Sequence, residues 1–187
     1  SNTPDIIHNF ILPTQFEVKL KAYNKAYQPA GEINAWRYLK SFADKRGFNY
    51  KKHISKPNES RASCSRLSPY LAWGNMSIKQ AFQFIGTHPN GTKNSGAFSA
   101  MLTRLHWHCH FIQKFEVECD YETACINAGY VLLVHEKNND FIKAWKEGNT
   151  GFPLVDACMR AVKETGWINF RTVSYTHLRA HETKCYL

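Results

Sequence analysis

The stretch Trp145-Lys146-Glu147-Gly148-Asn149-Thr150-Gly151-Phe152-Pro153-Leu154-Val155-Asp156-Ala157-Cys158-Met159-Arg160, closed by Thr165-Gly166-Trp167, decides how this chain is read. Pro153 suits the first turn of a helix, where a missing N–H leaves no bond unmade. Gly166 suits the left-handed position that ends one. Asp156 and Arg160, four apart on the helix so bounded, have the spacing of a surface ion pair worth a few tenths of a kcal/mol, on the order of 0.2–0.5. Trp145 and Trp167 read as core residues.

Working outward, six segments show apolar residues three or four apart, and none alternates long enough to argue for a sheet. The chain therefore reads as all-α. Residues 32–46 place Ile33, Trp36, Leu39, Phe42 and Ala43 on one side, with Gly47 as the stop. Residues 49–63 are basic and polar, and Pro57 marks them as a loop. Ser77 caps a helix carrying Ile78, Ala81, Phe82 and Ile85 that ends at Gly86. Residues 88–95 read as a loop. The next helix, 96–115, is the longest, with Phe98, Met101, Leu102, Leu105, Cys109 and Ile112 as its apolar stripe. Asn139 or Asp140 caps a further helix over 141–146.

The composition is that of a globular protein, 43% hydrophobic and 14% aromatic in 187 residues. Lys and Arg outnumber Asp and Glu by 24 to 15, a net charge of +9, which favours a polyanionic partner such as nucleic acid, with a solvated basic surface that meets no partner as the alternative. No apolar run approaches the roughly 18 residues that span a membrane, and residues 1–10 lack a signal-peptide pattern, so a cytoplasmic protein is expected. The six cysteines are unevenly spaced and read as reduced thiols.

Two further strings carry chemistry. In Ser63-Cys64-Ser65-Arg66-Leu67-Ser68-Pro69-Tyr70-Leu71, hydroxyls, backbone N–H groups at a turn and an arginine make a phosphate cradle, although a Ser-rich turn is more often a plain helix cap. In Arg104-Leu105-His106-Trp107-His108-Cys109-His110-Phe111, His106 and His110 have the spacing of a two-histidine metal site. No zinc signature accompanies them, so no metal is assigned.

All three strings resemble one family, the DNA photolyases and cryptochromes. The opening string resembles the family's Trp-x-x-Gly-x-Thr-Gly-Tyr/Phe-Pro-x-Val-Asp-Ala-x-Met-Arg signature, with Thr-Gly-Trp at the family's spacing. Cys64 to Ser68 resembles its Thr-Ser-x-Leu-Ser segment, with Cys64 in place of Thr. Residues 104–111 resemble its Glu-Leu-x-Trp-Arg-Glu-Phe helix, with Arg104 in place of Glu and His108 in place of Arg. Phe170 stands where the family has asparagine.

The resemblance runs from about Pro29 to Arg171. It implies part of the multi-helical FAD-binding domain over 29–171, truncated before its C-terminal half and preceded over 1–28 by a linker from an antenna domain that is not in this sequence. The polar, His-rich string 172–187 reads separately as a non-native tail, with a native flexible tail as the alternative. The resemblance implies FAD as cofactor, contacted by Tyr50, Cys64, Ser65, Arg66, Leu67, Ser68, Met101 and His108, with the backbone amide of Cys64 still available to phosphate. A second antenna pigment would belong to the absent domain. It implies DNA containing pyrimidine dimers as partner, met by Arg104, Trp107 and Arg171, with Trp107 as the catalytic-site wall. The full-length protein would act as a monomer and as a carbon–carbon lyase, and this fragment alone would be inactive. The family's outer electron-transfer tryptophan should fall near His135, where none is found.

A cryptochrome-type photoreceptor without repair activity is the alternative that Arg104 and His108 favour. A basic helical nucleic-acid-binding protein without flavin is the third.

Overall fold

A computed structural model describes residues 13–123, 129, 132 and 138–173. These form α-helices and short 3-10 turns, with no strand among the described residues. The all-α expectation holds.

After α1 (Thr14–Lys21), the core begins with α2 (Glu32–Asp44). Its inner face buries Ala35, Leu39, Phe42 and Ala43, and removing Leu39 and Phe42 from water stabilises the fold by about 2–3 kcal/mol each. Gly47 does not end this helix in a left-handed turn. It lies in a 3-10 turn (Arg46–Asn49) where an added Cβ would sit 2.7 Å from the Phe42 ring, so glycine is required by packing.

The expected loop over 49–63 is instead α3 (Tyr50–His53) and α4 (Pro57–Ser63). Pro57 occupies the first turn of α4 and starts that helix. After α5 (Ser68–Ala72), Ser77 caps α6 (Ile78–Thr87) through a reciprocal bond pair with Gln80. Gly86 lies inside α6 and does not end it. Residues 88–95 contain a 3-10 turn (Pro89–Gly91) within the expected loop.

The long helix α7 (Ser95–Val117) packs against α6 and α3 and buries Ala97, Phe98, Met101 and Leu105. Its later turns leave Phe111, Ile112, Phe115 and Val117 exposed.

The second unit is α8 (Asn139–Glu147) packed on α9 (Pro153–Thr165). Asn138 caps α8 by accepting from the Asp140 and Phe141 N–H groups, one residue earlier than expected. Trp145 is only half-buried, although its Nε1 is enclosed without an acceptor among the described residues. Trp167 packs against the main core.

Hydrogen bonds tie α9 to the chain's beginning: Asn24 donates to the Glu164 carbonyl and Tyr27 to that of Lys163. The expected linker over 1–28 therefore docks on the domain at its C-terminal end. The expected tail is also misplaced at its start, because residues 170–173 are helical and Thr172 is buried, its N–H donating to Asn169 Oδ1 at 2.9 Å. Residues 174–187 and His135 lie outside the described residues.

Candidate functional site

The turn between α8 and α9 is architectural. Asp156, expected as a surface partner of Arg160, is buried. Its carboxylate accepts from the Thr150 N–H at 2.8 Å, the Thr150 hydroxyl at 2.6 Å and the Gly151 N–H at 3.1 Å. Burial pulls this carboxyl up, but the bonds from Thr150 and Gly151 outweigh it and hold it below the usual carboxylate range. The Arg160 guanidinium stands 3.9 Å away and spends its Nε–H on the Gly148 carbonyl at 3.1 Å. Gly148 has φ +66°, and a Cβ there would meet the Asp156 carbonyl oxygen at 2.8 Å. Every group of this turn serves another.

The segment from Cys64 to Ser68 is the opposite case. Arg66 is the one non-glycine residue with positive φ among those described, at 60°, and Leu67 follows in right-handed geometry. Consecutive residues of opposite hand turn their N–H groups to one side, the arrangement of an anion-binding nest. The N–H groups of Ser65, Arg66, Leu67 and Ser68 and the hydroxyls of Ser65 and Ser68 meet no acceptor or donor among the described residues. Leu67, 2% exposed, anchors the segment in the core between these open groups. The Cys64 amide differs from expectation: it donates to the Ser60 carbonyl at 2.8 Å as the last bond of α4, so it is not available to a phosphate. Burial pushes the Cys64 thiol up to about 11, and the nearby Arg46 only partly offsets this.

Three arginines surround the segment without a carboxylate partner among the described residues. Arg66 Nε donates to Gln28 Oε1 while Gln28 Nε2 donates back to the Arg66 carbonyl, and the guanidinium lies over Tyr38 at 5.5 Å and Trp167 at 5.4 Å. Arg61 donates to the Thr165 hydroxyl. Arg46 donates to the carbonyls of Ala62, Cys64 and Tyr38 and to Ser41 Oγ, so one side chain fixes both ends of the approach to the cradle. Burial lowers the Arg46 and Arg66 values, and Arg66 lowers Arg46 further, yet arginine starts high enough that both stay charged. Open N–H groups and hydroxyls beside uncompensated cations fit the diphosphate of FAD.

Sequence reasoning missed Arg46 because it fell at the end of an amphipathic helix. Its only signal was a guanidinium close to a Ser-rich turn in the chain.

Tyr50 and Met101 sit in the core, 5% and 4% exposed. The Tyr50 ring meets Phe42 edge-on at 5.5 Å, and burial, then Cys64, pushes its hydroxyl up while Arg104 opposes them. Arg104, Trp107 and His108 are on α7, and His108 and Trp107 are exposed. The Arg104 guanidinium lies 5.5 Å from the Trp107 ring and 4.9 Å from that of Phe170, and Trp107 is 6.1 Å from Phe111. Arg171 is exposed and reaches Ser55 Oγ at 3.4 Å. His106 packs edge-on against Phe82, and no metal-ligating cluster occurs among the described residues. Segment 167–170 thus touches both the cradle, through Trp167 and Arg66, and the α7 face, through Phe170 and Arg104.

Comparison with known proteins gives a consistent result. Residues 101–177 match a family model described as the FAD binding domain of DNA photolyase. A deoxyribodipyrimidine photo-lyase of Alkalihalophilus pseudofirmus is 32% identical over 158 residues, 84% of this chain and 32% of the relative. Cryptochrome-1 of Mus musculus is 28% identical over 167 residues, 88% of this chain and 26% of the relative. The chain thus spans about a third or less of the length of these curated relatives. A bacterial class III photolyase from Agrobacterium tumefaciens has the same fold with a TM-score of 0.71, at 23% identity over 78% of this chain and 30% of that one. A Synechocystis cryptochrome gives 0.66, at 23% identity over 79% and 31%.

Proposed function

Because this chain belongs to the photolyase/cryptochrome family and carries its FAD-binding domain, we propose that it serves a blue-light DNA photolyase acting on pyrimidine dimers. The observation that carries this reading is the link made by residues 167–170 between an open phosphate cradle and an exposed aromatic, cationic face on α7. A flavin held at the first would lie beside nucleic acid held at the second.

The chemistry FAD supplies when bound is light-driven transfer of one electron to the dimer and its return after the cyclobutane bonds split. This chain's residues do the rest. Ser65 and Ser68 donate to the diphosphate, and Arg46 holds the cradle in shape. Trp107 offers a flat wall to a base turned out of the stack, while Arg171 neutralises a phosphate.

The test is repair of a dimer-containing oligonucleotide under blue light by the protein containing this chain. Trp107→Ala should cut repair at least ten-fold, roughly the loss of one stacked base, while FAD occupancy stays unchanged. No light-dependent loss of dimers in the unsubstituted, flavin-loaded protein would favour the second reading, a cryptochrome-type photoreceptor. Arg104 supports that second reading, since it puts a cation where the resembling repair enzymes carry a carboxylate.

A further inference from the structure

Residues 23–29 cross the end of α9 and reach the cradle, and their side chains bind both. Tyr27 donates to the Lys163 carbonyl at 2.8 Å and lays its ring on Gly166, where an added Cβ would stand 3.4 Å from it, while Asn24 donates to the Glu164 carbonyl at 3.0 Å. The Tyr23 hydroxyl donates to the Gln28 carbonyl, and that of Tyr70, buried in α5, donates to the Pro29 carbonyl at 2.8 Å. Between these anchors the Gln28 amide faces Arg66. Its Nε2 donates to the Arg66 carbonyl at 2.9 Å, and its Oε1 accepts from Arg66 Nε at 3.0 Å.

Arg66 is the non-glycine residue at positive φ, a backbone state that L-residues adopt at a cost and keep only where tertiary partners fix it. A primary amide offers an N–H and a carbonyl together, so Gln28 binds the main chain and the side chain of this arginine at once. Being neutral, it also leaves the guanidinium charge uncompensated. A carboxylate would hold Nε equally well but would cancel that charge beside an incoming diphosphate. The geometry points to Gln28 as a positioning residue for FAD: docking of residues 23–29 on α9 holds Gln28 against Arg66, and Gln28 holds Arg66 in the left-handed turn that aims the cradle's N–H groups at the diphosphate. This rests on the reading of residues 64–68 as the diphosphate cradle and adds that the segment before α2 and the flavin are energetically linked. Such a linkage is reciprocal, so FAD tightens the segment on α9 by the factor with which the docked segment tightens FAD.

The test is FAD titration of the protein containing this chain, read by flavin fluorescence at several salt concentrations, with urea midpoints and amide hydrogen exchange measured on the same variants. Gln28→Met keeps the side-chain length without either hydrogen bond and should weaken FAD about ten-fold, the scale of one lost bond to a charged group. Gln28→Glu keeps an acceptor for Arg66 Nε and should keep the urea midpoint, which covers the case of a poorly folded methionine variant. It should weaken FAD by a similar factor and flatten the salt dependence, because a cation facing the phosphates is neutralised. The Ala26 and Tyr27 N–H groups both donate to Asn24, so their exchange reports the segment directly. Saturating FAD should slow it about ten-fold or more in the wild type and by no more than about two-fold in Gln28→Met. FAD affinity unchanged in both Gln28 variants, beside a weakened Ser65→Ala/Ser68→Ala control, would overturn this proposal alone, as would exchange at Ala26 and Tyr27 that is indifferent to FAD. A serine control that binds FAD as the wild type does would overturn the cradle reading and this proposal with it.

Discussion

The turn at 148–156 and the segment at 64–68 are both short connections rich in hydroxyls, glycine or serine, leading into a helix that starts with proline in its first turn. They differ in where their hydrogen bonds go. At the first, Asp156 absorbs two N–H groups and a hydroxyl, and Gly148 admits the backbone of α9. At the second, four consecutive N–H groups and two hydroxyls meet no partner among the described residues, while Arg66, at positive φ, exchanges two hydrogen bonds with Gln28. A turn that satisfies itself builds the fold, and one that does not is prepared for a ligand.

Removing Asp156 is the largest perturbation this comparison predicts. Asp156→Ala leaves two part-buried N–H groups and a hydroxyl without their acceptor and should destabilise the protein by about 2 kcal/mol, read as a shift in the urea midpoint. Flavin affinity of the remaining folded protein should not change. The same carboxylate sets an acid limit. Its folded value is depressed, so its contribution is fully present above the ordinary carboxylate value, about 3.9, and is lost as pH falls through the lower folded value. Acid unfolding of the wild type should therefore show a step below about pH 4 that Asp156→Asn lacks.

Arg46→Met should come next. It removes four side-chain bonds and frees the carbonyls of Ala62 and Cys64, at a cost of no more than about 2 kcal/mol. It should also lower FAD affinity, because the cradle loses its support, and so it blurs the contrast between the two turns. Lysine at this position cannot reproduce the fork and should not rescue it.

Much of this architecture was legible in advance, and the errors have identifiable causes. Pro153 and Gly166 bounded α9 correctly because each acts through its own backbone. Pro57 was misread as a breaker because the same residue starts a helix when it falls in the first turn. Gly47 was misread as a cap because the need for glycine there comes from the Phe42 ring, packed back from the preceding helix. Asp156 and Arg160 have ion-pair spacing, but the partners that outbid Arg160 lie in the preceding turn and show no periodicity. The cradle was visible as hydroxyls and an arginine. That the Cys64 amide is spent on α4 was not, because the basic, polar composition of residues 49–63 and Pro57 disguise that helix as a loop.

Cys64 gives a smaller test of the same contrast. Its thiol is raised to about 11 by burial, so its contribution to stability is full below the ordinary thiol value and is lost as pH rises through the folded one. Alkylation at pH 8 should be much slower than for the exposed Cys119, and Cys64→Thr should change stability by no more than about 1 kcal/mol.

The central claim is that the open segment, and not the self-satisfied turn, holds the cofactor. Its most direct test is an FAD titration of the wild type, of Ser65→Ala/Ser68→Ala and of Asp156→Ala, with folding followed on the same samples. The account predicts that the double serine variant keeps its stability within about 0.5 kcal/mol and loses roughly ten-fold or more in FAD affinity, about 1.4 kcal/mol. Asp156→Ala should lose stability and keep affinity. The reverse pattern, or an FAD affinity unaffected by losing both hydroxyls, would contradict it.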